Sequence, residues 1–259
     1  MFNIESQQLS LWRKRHETFL NDQVSIAAKT DIGFKRKTNQ DRYLIHILSD
    51  STMLMAVADG LGGEPGGETA SGYVIESLKS LETINNRENR SLVSFFKKMD
   101  KDLSDMAKQS VTLDGMATTL VAVAIKDNVA NWVHSGDSRL YHLRGSRLTQ
   151  ITHDQTLSRF LIDEGEITRQ EALSHYSNQV LDQCIGCRDL TPESGSIRLQ
   201  AQDRIILVSD GLYRYVSDEK ICLTCKSNTG SEIMAEKLVN MVLDAGGKDN
   251  VTVLIAIFA

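Results

Sequence analysis

The sequence lacks long hydrophobic runs, contains only two prolines among 259 residues, and shows no excess of basic residues. No apolar stretch approaches the ~20 residues that a membrane-spanning helix requires, and the N-terminus has no apolar signal core. We therefore expect a cytoplasmic protein without a membrane span. The formal net charge of −5 argues against nucleic acid as the main partner, because binding to a phosphate backbone needs a clustered cationic surface.

The composition is that of a folded chain, since 41% apolar residues exclude a mainly disordered protein. The sequence shows no internal repeat, no low-complexity segment and no linker rich in Pro, Gly or Ser. Predicted strands and helices are mixed along the chain, which favours a single α+β domain of packed antiparallel sheets and helices over residues 24–259. Residues 1–23 are interpreted as an N-terminal extension that forms either a packed helix or a mobile arm.

Apolar alternation and apolar runs predict the strands, and helical spacing of apolar residues predicts the helices. Asp127-Asn128 has the composition of a two-residue hairpin turn between two strands. The predicted strands are 24–28, 42–48, 53–58, 118–126, 131–134, 140–143, 147–151, 204–209 and 251–258. The predicted helices are 68–84, 92–108, 155–173 with a break at Gly165, 218–225 and 232–243.

Four cysteines form two C-x-x-C pairs, Cys184/Cys187 and Cys222/Cys225, a pattern that suggests a zinc site. Residues 188–221 separate the pairs, a gap well beyond the usual spacing of a zinc ribbon. The second pair follows a helix N-cap at Ser217, so both of its thiols are expected on one helix. We interpret the four cysteines as buried structural thiols, with a zinc site or a redox disulfide as the alternative.

Three aspartates, Asp59, Asp210 and Asp249, stand at the ends of apolar runs that are predicted to be buried strands. Carboxylates brought together by a rigid sheet repel one another and raise each other's pKa unless a cation lies between them. Oxygen ligands without a histidine cluster suit Mg²⁺ or Mn²⁺ better than Zn²⁺. The sequence therefore predicts a polyaspartate centre for one of these two hard cations.

A glycine cluster, GLGGEPGG at residues 60–67, follows the first of these aspartates. It lacks the lysine and Ser/Thr of a P-loop, and Pro65 interrupts the G-x-G-x-x-G spacing of dinucleotide-binding loops. Its glycines would instead let the backbone approach a metal ion, with Gly60 offering a carbonyl oxygen. A plain loop between a strand and a helix is the competing interpretation.

Six short motifs occur in the order found in the metal-dependent serine/threonine protein phosphatases of the PPM, or type 2C, family. The chain resembles this family from about Ser25 to its C-terminus, and several motifs in fixed order are more specific than any one alone. The resemblance implies a bacterial single-domain type with a four-layer α-β-β-α fold, in which antiparallel helices flank two packed antiparallel sheets. The motifs are RKTNQD (36–41), VADGLGG (57–63), GMATTL (115–120), GDSR (136–139), VSDGL (208–212) and GKDNVT (247–252).

The resemblance implies a site for two Mn²⁺ or Mg²⁺ ions. Asp59 matches the aspartate that bridges the two ions, and the carbonyl of Gly60 matches a ligand of the second ion. Asp210 and Asp249 match the remaining protein ligands of the first ion. Asp41 matches an acidic residue that holds the metal-bound waters or the second ion, although by itself it could cap a turn.

Three further assignments follow from the same resemblance. Asp137 resembles the ligand of a weaker third ion, although by itself it could fix a hairpin. Arg36 resembles the arginine that grips the substrate phosphate, and residues of about 153–190 resemble the mobile flap that borders the active site and influences substrate choice. Leu61 stands where eukaryotic members carry a histidine proposed as general acid, so metal-bound water or another group would protonate the leaving group.

The chemistry of two divalent ions supports this assignment, because such a pair lowers the pKa of a shared water and provides a nucleophile without Ser, Cys or His. The sequence thus predicts hydrolysis of phosphoserine and phosphothreonine in proteins, opposing a serine/threonine kinase, by a monomer in which Arg36, Asp59, Asp210 and Asp249 are catalytic. A two-metal phosphodiesterase or nuclease is an alternative that the weak cationic content disfavours. A catalytically silent phosphoprotein-binding module is another, disfavoured by the presence of all the aspartates.

Overall fold

The structure is a computed structural model that describes residues 14–20, 23–61, 66–84, 90–172, 175–187 and 189–259. Within these ranges no helix has the length and apolar character needed to cross a membrane. The strands are β1 (Lys14–Leu20), β2 (Val24–Asp31), β3 (Asp41–Ile47), β4 (Met53–Leu61), β5 (Ala117–Thr118), β6 (Leu120–Lys126), β7 (Val129–Ser135), β8 (Arg139–Arg144), β9 (Arg147–Gln150), β10 (Glu193–Arg198), β11 (Arg204–Val208) and β12 (Val251–Phe258). The α-helices are α1 (Gly66–Lys79), α2 (Arg90–Ala107), α3 (Leu157–Asp163), α4 (Arg169–Ala172), α5 (Asp210–Tyr213), α6 (Asp218–Lys226) and α7 (Ser231–Asp244), and short 3₁₀ turns lie at Val111–Leu113 and Tyr176–Gln179.

The described strands form two sheets in which every pairing is antiparallel. The first sheet has the order β1-β2-β12-β11-β8-β9. The second has the order β10-β7-β6-β4-β3, and β5 pairs with β4 at its end. Strands β7 and β8 are consecutive in the chain but belong to different sheets, so the connection through Gly136 and Asp137 is a crossover and not a hairpin.

Central strands are buried on both faces, which explains their uninterrupted apolar sequences. In β4, Leu54 and Ala56 pack beneath α1 and α2, while Met55 and Val57 point into the space between the sheets. In β11, Ile206 packs beneath the helices of the other outer layer. Three apolar layers therefore separate helix, sheet, sheet and helix, which confirms the predicted α+β, four-layer α-β-β-α architecture.

The N-terminal segment differs from the expectation, because residues 14–20 form strand β1. The whole strand pairs with β2, from Lys14 opposite Asp31 to Leu20 opposite Ser25. The prediction of a packed helix or mobile arm is wrong for these residues, since the open edge of β2 offers backbone N–H and C=O groups that a polar segment can satisfy. Residues 1–13 and 21–22 lie outside the described residues.

The two cysteine pairs differ from each other. Cys184 and Cys187 are joined as a disulfide, so the expectation of free structural thiols is wrong for this pair. Cys222 and Cys225 are free and lie on α6, whose N-cap Ser217 accepts a hydrogen bond from the N–H of Lys220 as predicted. Burial raises the pKa of the Cys225 thiol to about 12, which keeps it protonated and unreactive.

Candidate metal centre

Strand register brings the predicted aspartates to one end of the sandwich. Asp41 opens β3 and lies directly opposite Asp59 near the end of β4. Asp210 follows β11, Asp249 precedes β12, and these two strands are antiparallel neighbours with Val208 opposite Val253. Four carboxylates from distant parts of the chain therefore meet where the two sheets end.

Asp41 is fully buried and is oriented by the opposite sheet. Its Oδ2 accepts hydrogen bonds from Ser209 Oγ and Thr252 Oγ1, each at 2.7 Å. The backbone N–H of Thr252 donates to Ser209 Oγ at 3.0 Å, which fixes both hydroxyls. Asp41 Oδ1 is buried and has no hydrogen-bond partner, an arrangement that is costly unless a cation completes it.

The backbone of Asp59 is anchored on the other side of the cluster by two threonines. Its N–H donates to Thr119 Oγ1 at 3.1 Å, and its carbonyl oxygen accepts from Thr118 Oγ1 and from the N–H of Thr119, both at 2.9 Å. The carboxyl group of Asp59 lies close enough to those of Asp41 and Asp210 for their charges to raise its pKa. A rigid backbone thus holds an unneutralised group of acids together.

Burial and mutual repulsion raise the pKa values of Asp41, Asp59 and Asp210. Burial raises the pKa of Asp41 to about 6, opposed by the hydrogen bonds from Ser209 and Thr252. Burial, followed by the charges of Asp41 and Asp210, raises the pKa of Asp59 well above its ordinary value. Burial also raises the pKa of Asp210, with the Asp249 charge adding to the shift. Raised values on neighbouring acids show that the site carries more negative charge than its surroundings neutralise.

Two arginines partly balance this charge. Arg36 donates to both oxygens of Asp249, with Nε–Oδ1 at 2.7 Å and Nη2–Oδ2 at 2.8 Å. Arg214 contacts Asp210 through Nε at 2.7 Å. In the described part of the chain, no three acidic, His or Cys side chains are arranged closely enough to hold an ion as they stand.

The donor set nevertheless fits a hard divalent cation. The candidate metal ligands are carboxylate oxygens, and one of them, Asp41 Oδ1, has no hydrogen-bond partner. Mg²⁺ and Mn²⁺ prefer such oxygen ligands. A pair of ions among Asp41, Asp59 and Asp210 would offset the repulsion that raises their pKa values. Such ions would also meet Asp249 and the carbonyl of Gly60, which directly follows Asp59 in β4.

Glycines allow the loops that carry these groups to touch. A Cβ atom at Gly211 would overlap the carbonyl oxygen of Asn250, so this glycine permits the loop of Asp210 to pack on that of Asp249. A Cβ atom at Gly60 would likewise overlap the carbonyl oxygen of Gly67. Both ends of the predicted glycine loop are therefore in close contact, while its residues 62–65 lie outside the described residues.

Asn250 is a site residue whose structural role the sequence analysis missed. Its Nδ2 donates to the carbonyl oxygens of Ile32 and Thr38 at 2.9 and 3.0 Å, and its Oδ1 accepts from the N–H of Gln40 at 2.9 Å. The side chain thus ties the loop of Arg36 to the start of β3. Its place in the GKDNVT motif was the available signal, together with its position just before a buried strand.

Asp137 lies beside this cluster and not inside it. It is 4% exposed, and burial, followed by the Asp210 charge, raises its pKa to about 7. Tyr213 Oη donates to Asp137 Oδ2 at 3.1 Å, and Arg214 Nη2 lies 3.3 Å from the same oxygen. The structure therefore brings Asp137 next to Asp210, but with protein donors already directed at it.

A groove of about 610 Å³ opens next to Asp137, between the predicted flap and the sheet ends. Flap residues of the 3₁₀ turn Tyr176–Gln179 form one wall and Tyr213, Arg214 and Tyr215 form the other. The predicted break at Gly165 is confirmed, since this residue has a φ of 75° between α3 and α4. Residues of the predicted flap thus lie across a groove from Arg214, which contacts Asp210, and the role of the flap stays a prediction.

Comparison with known proteins is consistent with this geometry. Residues 35–245 match the family described as "Protein phosphatase 2C". The serine/threonine protein phosphatase PstP of Mycobacterium tuberculosis is 36% identical over 232 residues, which is 89% of this chain and 44% of PstP. Protein phosphatase PhpP of Streptococcus pneumoniae is 33% identical over 238 residues, 89% of this chain and 96% of PhpP. The chain thus spans less than half the length of PstP and almost all of PhpP.

A solved structure shows the same fold with metal bound. The catalytic domain of PstP in complex with two manganese ions is 33% identical to this chain and aligns with a TM-score of 0.81. The alignment covers 92% of this chain and 99% of the PstP domain. The two manganese ions belong to that protein, and they are of the class of cation that the donor set described above would take.

Proposed function

Since this chain belongs to the protein phosphatase 2C family, we propose that it hydrolyses phosphoserine and phosphothreonine in proteins with the help of Mn²⁺ or Mg²⁺. The observation that carries the proposal is the convergence of Asp41, Asp59, Asp210 and Asp249 at one end of the sandwich, with Arg36 at its rim. The raised pKa values of Asp41 and Asp59 indicate that this group needs cations to be stable as carboxylates.

Each ligand position has a defined role in this proposal. Asp59 would bind both ions. Asp210 and Asp249 would be the other protein ligands of the first ion. The carbonyl of Gly60 and the buried Asp41 would be ligands of the second ion. When bound, the ion pair supplies Lewis-acid activation of water and charge stabilisation on the phosphoryl group. Ser209 and Thr252, which donate to Asp41, keep that carboxylate in place.

Arg36 is suited to bind the substrate phosphate. Its side chain is 53% exposed, and it already uses two parallel donors on a planar oxyanion, the carboxylate of Asp249. Guanidinium presents the same paired donors to a phosphate, which a lysine ammonium cannot reproduce. Leu61 carries no titratable proton, so protonation of the leaving group would fall to another group or to solvent.

The enzymatic proposal is tested by comparing three substrates with and without Mn²⁺. A phosphothreonine peptide and an aryl phosphate should be hydrolysed only with added Mn²⁺ or Mg²⁺, and a bis-aryl phosphate should not be turned over. Preferential cleavage of the bis-ester would support the phosphodiesterase alternative and overturn the proposal. Absence of all turnover in a metal-loaded protein would support a silent binding module.

Arg36→Ala should raise the KM for a phosphothreonine peptide by about tenfold, because a charge-assisted hydrogen bond contributes ~1.5–3 kcal/mol. Arg36→Lys should recover only part of this loss, since lysine keeps the charge but not the paired donors. Lys37→Ala removes a neighbouring exposed charge and is the matched control, for which we expect little change. An unchanged KM in Arg36→Ala would remove this residue from the phosphate site.

The cellular setting is part of the proposal. Phosphorylated proteins would be the substrates and a serine/threonine kinase would be the opposing enzyme. A cytoplasmic location and a monomeric state stay predictions from the sequence, as does the absence of nucleic acid as a partner. Sedimentation velocity of the full chain would test the monomer directly.

A further inference from the structure

Arg214 lies between two carboxylates that the family resemblance would assign to a third metal ion. Its Nε is 2.7 Å from Asp210 Oδ2 and its Nη2 is 3.3 Å from Asp137 Oδ2. The side chains of Asp210 and Asp137 are 16% and 6% exposed, so both acids are shielded from solvent. The position between them is therefore already held by a cation.

The backbone places Arg214 at this position. The residue caps the C-terminus of α5, and its N–H donates to the carbonyl oxygen of Asp210 at 3.1 Å. A spacing of four residues on a helical turn brings a side chain onto the same face as its partner. Any conformation that retains α5 therefore keeps the guanidinium within reach of Asp210.

Neighbouring side chains hold Asp137 against the guanidinium. Tyr213 Oη donates to the carbonyl oxygen of Asp137 at 3.0 Å and to its Oδ2 at 3.1 Å. The guanidinium of Arg139 stacks over the Tyr213 ring at 3.5 Å, and Arg139 is itself anchored by two hydrogen bonds to Asp154 at 2.6 and 2.8 Å. These contacts extend from the flap groove to Asp210, so Asp137 is ordered by protein donors.

A guanidinium and a divalent cation compete for such a pair of acids. Arginine stays protonated at every accessible pH, and its planar donors match carboxylate oxygens. A third ion would have to displace Arg214, whose side chain is 27% exposed, from both acids, and the guanidinium would lose its charge-assisted contacts with two carboxylates that are 6% and 16% exposed. In the main cluster arginines also pair with Asp249 and Asp210, but Asp41 Oδ1 has no donor directed at it and is left for a divalent ion.

We propose that Arg214 is the resident cation of the Asp137–Asp210 pair, so that this protein binds two divalent ions at the Asp59 cluster and none at Asp137. The inference rests on the proposed function, because it takes the two-ion centre as given. It replaces the expectation that Asp137 binds a third ion. Arg214 would then be a positioning residue that orients Asp210 through the contact of its Nε with Asp210 Oδ2.

Equilibrium dialysis of the full chain against saturating Mn²⁺, followed by metal analysis, tests this directly. The wild-type protein and Asp137→Asn should each bind about two ions per chain. Arg214→Gln should bind about three, because the two acids lose their internal cation, and the double variant Arg214→Gln/Asp137→Asn should return to about two. The stoichiometry is read without reference to catalytic activity.

A third ion bound by the wild-type chain, or loss of an ion in Asp137→Asn, would overturn the inference. A folded Arg214→Gln that stays at about two ions would also overturn it, since Arg214 would then not be what excludes the third ion. If Arg214→Gln does not fold, the comparison of wild type with Asp137→Asn decides alone. Failure of the proposed function looks different, because the wild-type chain would then bind fewer than two ions and Asp59→Asn would remove none.

Discussion

Asp210→Asn is expected to lower kcat for a phosphothreonine peptide by at least ~100-fold, which corresponds to a loss of ~3 kcal/mol of transition-state stabilisation. The charges of Asp249 and Asp41 raise the pKa of Asp210, which shows that the three carboxyl groups are close together. Asp210 would therefore be a metal ligand at the centre of the cluster. Asparagine keeps the shape of the side chain but removes the charge that a hard cation needs. Steady-state kinetics with added Mn²⁺, together with circular dichroism of the variant, provide the measurement.

Asp203→Asn is the matched control. Asp203 precedes the same strand, β11, that Asp210 follows, and it is buried and paired with an arginine, with Arg144 Nε and Nη2 at 2.9 and 2.6 Å. It stands at the end of the sandwich away from the acidic cluster, so its replacement should reduce stability but not the kcat of the folded protein. Full activity of Asp210→Asn, or equal losses in both variants, would contradict the assigned role.

The metal-free protein is expected to lose stability as the pH rises from 5 to 8. The pKa values of Asp41 and Asp137 are raised to about 6 and about 7 by burial, whereas an unfolded aspartate titrates near 4. A group whose pKa is raised on folding contributes stability that is complete below the unfolded value and is lost as the pH passes the folded value. The melting temperature in chelator should fall by on the order of 10 °C across this window, because ~1 kcal/mol shifts it by ~2–4 °C in a chain of this size.

Saturating Mn²⁺ should raise the melting temperature and remove the part of this dependence that comes from Asp41, since ions that bind only the folded state stabilise it and offset the charge of that carboxylate. Asp41→Asn in chelator should flatten the curve as well, because it removes one buried charge. Scanning calorimetry at several pH values with chelator and with Mn²⁺ is the measurement. A melting temperature that is constant or rises from pH 5 to pH 8 without metal would show that the acids are not crowded.

Much of the fold was predictable because its central strands and main helices bury apolar residues in regular patterns. The Asp127-Asn128 turn was also predictable, since both residues adopt φ values of 51° and 59° that these residue types tolerate. Strand β1 and strand β10 were not predicted. Both are edge strands with polar sequences, KRHETFL and ESGSIR, and backbone pairing with a neighbour holds them without an apolar pattern.

The candidate site was predictable only in part. Asp59, Asp210 and Asp249 could be selected because each adjoins a buried strand, and the register of β3 against β4 brings Asp41 to the first of them. The roles of Ser209 and Thr252 were not visible, because their hydrogen bonds to Asp41 join different sheets and depend on how the sheets pack.

The contact of Arg214 with Asp137 was hidden for a similar reason. The two residues are 77 positions apart and meet only because the crossover from β7 to β8 passes beside α5. Local sequence patterns report strand ends and helix faces, but they carry no information on which polar side chains meet across two layers.

The central claim, that two divalent ions bind among Asp41, Asp59, Asp210 and Asp249, is tested most directly by anomalous X-ray diffraction from crystals grown with Mn²⁺. We predict two manganese peaks that share Asp59, each within about 2.0–2.6 Å of carboxylate or carbonyl oxygens of this cluster. Peaks located only elsewhere, or no peak at this end of the sandwich at saturating Mn²⁺, would contradict the account.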